Sequence, residues 1–181
     1  MINIFTKLLS RFREDEEATV TMEFVIIMPV LIFWFIGSIV FFDAFSSRAT
    51  AQRTAHTITD ILSRQTQVDN IFINKMLTLQ NRMMPREQVG TIRVSSLQID
   101  PSGDLVVLWT HTTGSSLPLI AADISSSILP DMHIGESVIL VDTTVPFTPI
   151  SDWVGIVAQT WHNHVVTQPR FVSTLPNTDY P

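Results

Sequence analysis

The chain has 181 residues, enough for one membrane anchor and one small domain, and it contains no cysteine. The lack of cysteine excludes disulfides, thiolate metal sites and cysteine nucleophiles. The formal net charge of −6 disfavours nucleic acid as a partner, and beyond residue 94 the single Lys or Arg is Arg170.

Residues 1–18 are predicted to be a cytoplasmic leader that contains a short amphipathic helix lying on the membrane surface. Its apolar residues recur at helical spacing, and its basic residues occupy much of the remaining surface. The apolar set is Ile2, Phe5, Leu8, Leu9 and Phe12, and the basic set is Lys7, Arg11 and Arg13.

A block of nineteen residues without an ionisable group runs from Phe24 to Phe42. As a helix it would be about 28 Å long, close to the hydrocarbon thickness of a bilayer. We therefore predict a transmembrane helix over residues 19–42. The basic residues that flank the block are too evenly divided to fix its orientation. A signal sequence cleaved after Ala51 is an alternative, although the block is longer than the apolar core of most signals.

The segment from Ala18 to Phe24 reads ATVTMEF and is followed by an apolar span with an early proline, Pro29. This arrangement resembles the TadE/TadG-like family, the pseudopilin-type proteins of tight-adherence (Flp-type) pilus assembly. The resemblance implies a recognition sequence for a prepilin-type peptidase at Ala18, Thr19, Glu23 and Phe24, with a cut between Ala18 and Thr19. The alternative is an uncut N-terminus that is retained as an anchor.

The same resemblance implies a function and a location. It indicates a non-enzymatic component of a pilus assembly system in the bacterial inner membrane, with a cytoplasmic N-terminus and a periplasmic C-terminal domain. The expected partners are the lipid bilayer, other pilus assembly proteins and pilin-like subunits, with no nucleic acid and no small-molecule substrate. No cofactor is expected. Glu23 would pair with a positive charge on a neighbouring subunit.

The helical pattern continues beyond the apolar block to about Ser63 as a heptad-like seam. This seam could pack on its own domain or on another subunit. A second amphipathic helix follows, with Ile71, Phe72 and Met76 on its apolar face, and the two helices make up a membrane-proximal part over residues 43–88. The seam consists of Gly37, Phe41, Ala44, Arg48, Ala51, Ala55, Ile58 and Leu62.

Residues 89–175 are predicted to form an antiparallel, β-rich part in one domain with residues 43–88. Two strands with a bulge at Ser95–Ser96 flank a turn at Asp100–Asp104, and two more strands follow over 137–145 and 161–167. A short helix is predicted around 121–129 and a loose tail over 176–181. The predicted fold class is α+β, with a long N-terminal helix and a second helix packed on a small antiparallel sheet of about four strands.

No catalytic motif or phosphate-binding glycine loop is present in the sequence. His162 and His164 would lie on one face of a strand and could share a metal ion, with His111 or His133 as a third ligand. The alternative function is therefore a membrane-tethered or secreted metal-binding protein or enzyme that uses His162 and His164.

Overall fold

The computed structural model describes residues 16–84, 89–114, 117–120, 124, 128–151 and 153–180. It contains two helices, α1 (Glu16–Ser63) and α2 (Asn70–Met83), followed by four strands. These are β1 (Thr91–Ile99), β2 (Leu105–Thr112), β3 (Ser137–Phe147) and β4 (Gln159–Thr167). The predicted α+β class, with a long apolar N-terminal helix and a four-stranded antiparallel sheet, is confirmed. The predicted amphipathic leader lies largely outside the described residues.

The chain divides into two compact units. The first unit combines the described part of Met1–Asp43 with the short segment Pro149–Ile156. The second unit combines Ala44–Thr148 with Val157–Pro181, of which the terminal proline is outside the described residues. Helix α1 contributes its N-terminal part to the first unit and its C-terminal part to the second.

Helix α2 begins at a capped N-terminus. The side chain of Asp69 accepts a hydrogen bond from the backbone N–H of Phe72 at 2.6 Å, which satisfies one of the free donors of the first turn. Ile73, Met76 and Gln80 are the buried residues of this helix, whereas Ile71 is 64% exposed. The predicted apolar face was therefore wrong at Ile71, whereas Met76 belongs to the core and Phe72 is partly buried against it.

The sheet has the strand order β2-β1-β3-β4, and all its pairs are antiparallel. The predicted hairpin between β1 and β2 is present, and its register shifts between Ser96 and Leu97, one residue from the predicted bulge. In the turn, Oδ1 of Asp100 accepts hydrogen bonds from the backbone N–H groups of Ser102 and Asp104. Gly103 has a φ of 90°, a conformation that glycine adopts without steric cost.

Strand β3 continues past Pro146, where the sequence predicted that it would stop. Pro146 pairs with Thr160 of β4, whereas the pairing of β3 with β1 already ends at Thr144. Pro146 therefore lies beyond Thr91, the first residue of β1, where the β1–β3 ladder requires no donor.

The core occupies both faces of the sheet. On one face α1 and α2 pack against the strands, with Ile58, Leu62 and Ile73 fully buried. Alternate residues of β3 point to the two faces, so Ile139 joins this helix-side cluster while Leu140 joins the other. The second cluster is completed by Leu119 and by partly buried apolar residues at 124, 129 and 132. The predicted helix at 121–129 falls mostly on residues outside the described set.

The tail predicted to be loose is fixed to α2. Residues Val68 and Asn177 form a parallel bridge, and the N–H of Thr178 donates to the carbonyl of Val68 at 2.9 Å. Oδ2 of Asp179 accepts a hydrogen bond from the N–H of Asn70 at 2.7 Å. This prediction was wrong because a carboxylate at a helix N-terminus is stabilised by the free N–H groups and by the helix dipole.

Candidate membrane anchor and assembly surfaces

Among the described residues, one helix is long and apolar enough to cross a membrane, namely α1. Its most apolar window has a mean hydropathy of 2.7, and only 6% of that window is buried inside the protein. Every side chain from Val20 to Ile36 is exposed. A helix that is apolar on all sides and covered by no other part of the chain has the character of a membrane span rather than of a core helix.

The four predicted recognition residues all lie within α1, near its N-terminus. The Ala18–Thr19 peptide bond belongs to the first turn, and only the backbone of these two residues is described. Glu23 is exposed and Phe24 is 59% exposed. Glu23 is the only ionisable residue between Val20 and Phe42, so its carboxylate stands alone on an otherwise neutral surface.

Only some residues of the predicted heptad-like seam are buried in the structure. Ala51, Ala55, Ile58 and Leu62 are at most 1% exposed and belong to the packed interior of the second unit, and Ala44 is also buried. Gly37 is half-buried, whereas Phe41 is 67% exposed and Arg48 is exposed. The sequence left open whether the seam packs on its own domain or on another subunit, so packing of Phe41 and Arg48 on another subunit stays a prediction. Val40 and Ser47 of the same helix are also buried.

His162 and His164 lie on one face of β4, as the strand alternation predicted, but each has a partner on β3. Nδ1 of His164 lies 2.6 Å from Oδ1 of Asp142, and Nδ1 of His162 lies 3.4 Å from Oγ1 of Thr144. Oδ2 of Asp142 in turn accepts hydrogen bonds from Nε and Nη2 of Arg93 at 2.8 and 2.6 Å. Arg93, Asp142 and His164 therefore form a charged cluster across three strands.

The two histidines offered as a third metal ligand lie elsewhere. Nε2 of His111 is 3.4 Å from Oδ1 of Asn74, and Nδ1 of His133 is 3.5 Å from Oε2 of Glu136. Within the described ranges, no group of three His, Asp or Glu side chains could hold a metal ion. The structure thus brings His162 and His164 to one face, and the part of the chain that it describes adds no third ligand of the kind a zinc site requires.

Among the described residues outside the anchor, His111 and Glu136 have shifted pKa values. Partial burial lowers the pKa of His111, and the nearby negative charge of Asp179 opposes this effect. The pKa of Glu136 is also lowered, chiefly because its carboxylate accepts a hydrogen bond from the backbone N–H of His133 at 2.8 Å.

Sequence reasoning did not anticipate a groove beside β4, which we call the edge groove. It has a volume of about 560 Å³ and runs between the exposed side of α1 and the last strand of the sheet. Because β4 has one strand neighbour, its outer edge presents backbone groups that could pair with an added strand. The groove is lined by Ala49, Gln52, Arg53, His56, His162, Asn163, His164 and Val165, a set without any acidic side chain.

No signal in a single sequence marks this groove, because it depends on which strand lies at the edge of the sheet. No protein-family model, curated protein or solved structure matches the chain. The function is therefore argued from the residues and their geometry.

Proposed function

We propose that this protein is a membrane-anchored, pseudopilin-like component of tight-adherence (Flp-type) pilus assembly that acts through helix packing and protein–protein contacts. In this proposal α1 crosses the bacterial inner membrane once, the N-terminus is cytoplasmic and the sheet-bearing domain is periplasmic. The main support for the proposal is the exposed apolar surface of α1. It is apolar and uncovered over the length of a bilayer, and the same helix then supplies the buried wall of a folded domain.

The continuity of α1 favours a retained anchor over a cleaved signal. The alternative cleavage site after Ala51 lies inside the helix, and the side chain of Ala51 is 1% exposed. Ala51 packs with Met84 and Val145 in a small apolar cluster. Cleavage there would cut the helix at a packed position and shorten the segment that covers the sheet, so release would destabilise the released domain.

Glu23 supplies the polar element of the proposed assembly contact. A lone carboxylate at the start of an apolar span is costly in the hydrocarbon region unless it stays near the headgroups or meets a positive charge. A basic group on a neighbouring subunit, such as a free N-terminal amine after cleavage at Thr19, would satisfy it. The pairing would also fix the relative height of adjacent helices, as polar groups fix register in other helical assemblies.

The test is complementation of a deletion strain. Deletion should abolish surface pili, and the wild-type gene should restore them. Glu23→Gln should fail to restore piliation although the protein remains in the membrane, whereas the matched charge-neutralising control Glu17→Gln should restore it. Capture from solubilised membranes should recover pilus assembly proteins. Normal piliation after deletion would refute the proposal.

The mass of the mature chain tests processing separately. A start at Thr19 would establish cleavage by a prepilin-type peptidase, and a start at Met1 would establish an uncut anchor. A start at Gln52 would show that α1 is a signal and would overturn the anchored arrangement.

A further inference from the structure

A short apolar segment belongs to the same compact unit as the N-terminal part of α1. This segment, Pro149–Ile156, connects β3 with the region before β4, and we call it the anchor loop. A Cβ atom built on Gly37 would lie 3.3 Å from Cγ1 of Val154, closer than most real contacts of a Cβ atom. The absence of a side chain at Gly37 therefore lets the loop approach the helix.

The contact between Gly37 and Val154 lies within the apolar block of α1, near the C-terminal end of that block. Gly37 precedes the end of the apolar block at Phe42 by five residues, which corresponds to about 7.5 Å along a helix. Val40, one turn further on the same face, is 1% exposed although its neighbours Ile39 and Phe41 are largely exposed. The anchor loop thus lies beside a part of the helix that would be inside the outer edge of the bilayer.

The anchor loop presents large apolar side chains that the protein leaves uncovered. Trp153 is 88% exposed and Ile150 is 63% exposed. The backbone N–H of Trp153 contacts Oγ of Ser151 at 3.4 Å, and Gly155 has a φ of 84°, so the chain reverses direction within the loop. A tight turn with a tryptophan and an isoleucine on its outer side is a compact apolar projection.

We propose that the anchor loop inserts into the interfacial layer of the same membrane that α1 crosses, in the leaflet next to the folded domain. This inference rests on the proposed membrane anchoring. Trp153 would lie at the level of the headgroups, where an amphipathic ring is favoured because its apolar surface is buried while its N–H remains solvated. Ile150 would add apolar area below it.

The bilayer is the occupant that the geometry favours. The loop contacts α1 within the apolar block, so any bilayer that surrounds the block also surrounds the loop at that depth. An interfacial element buries its apolar side roughly 5–10 Å into the headgroup and acyl boundary, which matches the depth of Gly37. The first unit would then be held in the membrane at two points, the helix and the loop.

The natural lack of cysteine allows a clean test with single-cysteine variants of the full chain in lipid nanodiscs. A polarity-sensitive fluorophore is attached in turn to Trp153→Cys, Trp34→Cys and Phe171→Cys. The nanodiscs carry lipids with a quencher either near the headgroup or deep in the acyl chains. Trp34 represents the apolar block, and Phe171 is a matched exposed aromatic residue of the second unit, 69% exposed.

We expect the label at 153 to lose more of its emission to the shallow quencher than to the deep one, as an interfacial position requires. The label at 34 should respond to the deep quencher, and the label at 171 should respond to neither. Adding Gly37→Leu to the Trp153→Cys variant should abolish the shallow quenching, because the new side chain would displace the loop from the helix.

The outcomes separate the two proposals. Quenching at 34 without quenching at 153 would overturn the loop insertion and leave the anchor intact. No quenching at 34 would overturn the membrane anchor itself. Equal quenching at 153 and 171 would place the whole domain on the lipid and overturn a specific role for the loop. The label at 153 could instead show blue-shifted emission that neither lipid quencher changes. That result would indicate a protein contact of the loop and would overturn the loop insertion.

Discussion

The charged cluster of Arg93, Asp142 and His164 gives the sharpest test of how the sheet is stabilised. The side chain of Asp142 is 10% exposed and that of Arg93 is 23% exposed, so their ion pair is largely shielded from water. The change Asp142→Ala removes both hydrogen bonds from Arg93, at 2.6 and 2.8 Å, and the 2.6 Å contact with His164. The guanidinium then keeps a single described protein acceptor, the carbonyl of Leu117 at 3.2 Å.

The expected loss of stability lies between the values for a buried and for a surface ion pair. Breaking a buried ion pair by removing one partner costs about 3–5 kcal/mol, whereas a surface pair contributes about 0–1 kcal/mol. Since about a quarter of the Arg93 side chain reaches solvent, we expect Asp142→Ala to lower the free energy of unfolding by about 2–3 kcal/mol. With a urea dependence of about 2 kcal/mol per molar, the unfolding midpoint should fall by roughly 1 M.

The assay is urea unfolding of the full chain in nanodiscs, monitored by tryptophan fluorescence. Trp109 reports on the core, because it is 6% exposed and its indole N–H donates to the carbonyl of Leu175 at 2.7 Å. A double-mutant cycle of Asp142→Ala with Arg93→Met isolates the pair energy. His164→Gln is the control and should cost under about 1 kcal/mol, because 46% of that side chain is exposed. A coupling energy near zero, or a larger loss for His164→Gln than for Asp142→Ala, would refute this reasoning.

Three further outcomes can be measured by the same unfolding assay. Ile73→Ala should lower the free energy of unfolding by about 2–5 kcal/mol because the side chain is fully buried. Ile71→Ala, two residues away and 64% exposed, should lower it by under about 1 kcal/mol. Equal losses would contradict the observed buried face of α2. The pKa of His111 in the folded chain lies below its ordinary value of 6.5, so the unfolded chain binds the proton more readily. The free energy of unfolding should therefore decline as the pH falls below about 6.5 and level off below the folded pKa. His111→Gln should flatten that slope, and an unchanged slope would exclude His111 as its source. Gly103→Ala should lower the free energy of unfolding by about 1 kcal/mol or more because the φ of Gly103 is 90°. Ser102→Ala in the same turn should be nearly neutral. A neutral Gly103→Ala would show that the turn rearranges freely.

The sequence predicted the features that depend on local chemistry. Asp100 and Gly103 define a turn through their own side-chain and backbone preferences, and the slip of the alternation at Ser95–Ser96 predicted the bulge within one residue. Helix α1 was predicted to end at about Ser63, where it does end. Each of these features is determined by interactions between residues close in the chain, so a single sequence suffices to find them.

The features that the sequence did not reveal depend on contacts between distant residues. The edge groove exists because β4 pairs with β3 and, among the described strands, with no other, which no local pattern specifies. The docking of the tail depends on the meeting of Asp179 with the N-terminus of α2, more than a hundred residues earlier. Burial of the seam within the chain could not be predicted position by position either, since a seven-residue repeat only approximates the 3.6-residue turn of a straight helix, and Phe41 and Arg48 are exposed.

The burial along α1 gives the strongest physical argument for a partner outside the chain. Soluble monomers rarely expose a contiguous apolar patch larger than a few hundred Å². In α1 nearly every large apolar side chain from Val20 to Phe42 is at least 40% exposed, with Val40 as the exception, whereas Ile58 and Leu62 of the same helix are completely covered. The buried stripe of α1 thus belongs to the core of the domain, whereas residues 20–36 of the same helix are exposed. Water is a poor solvent for that surface, which is the physical reason for proposing that lipid or other apolar helices cover it.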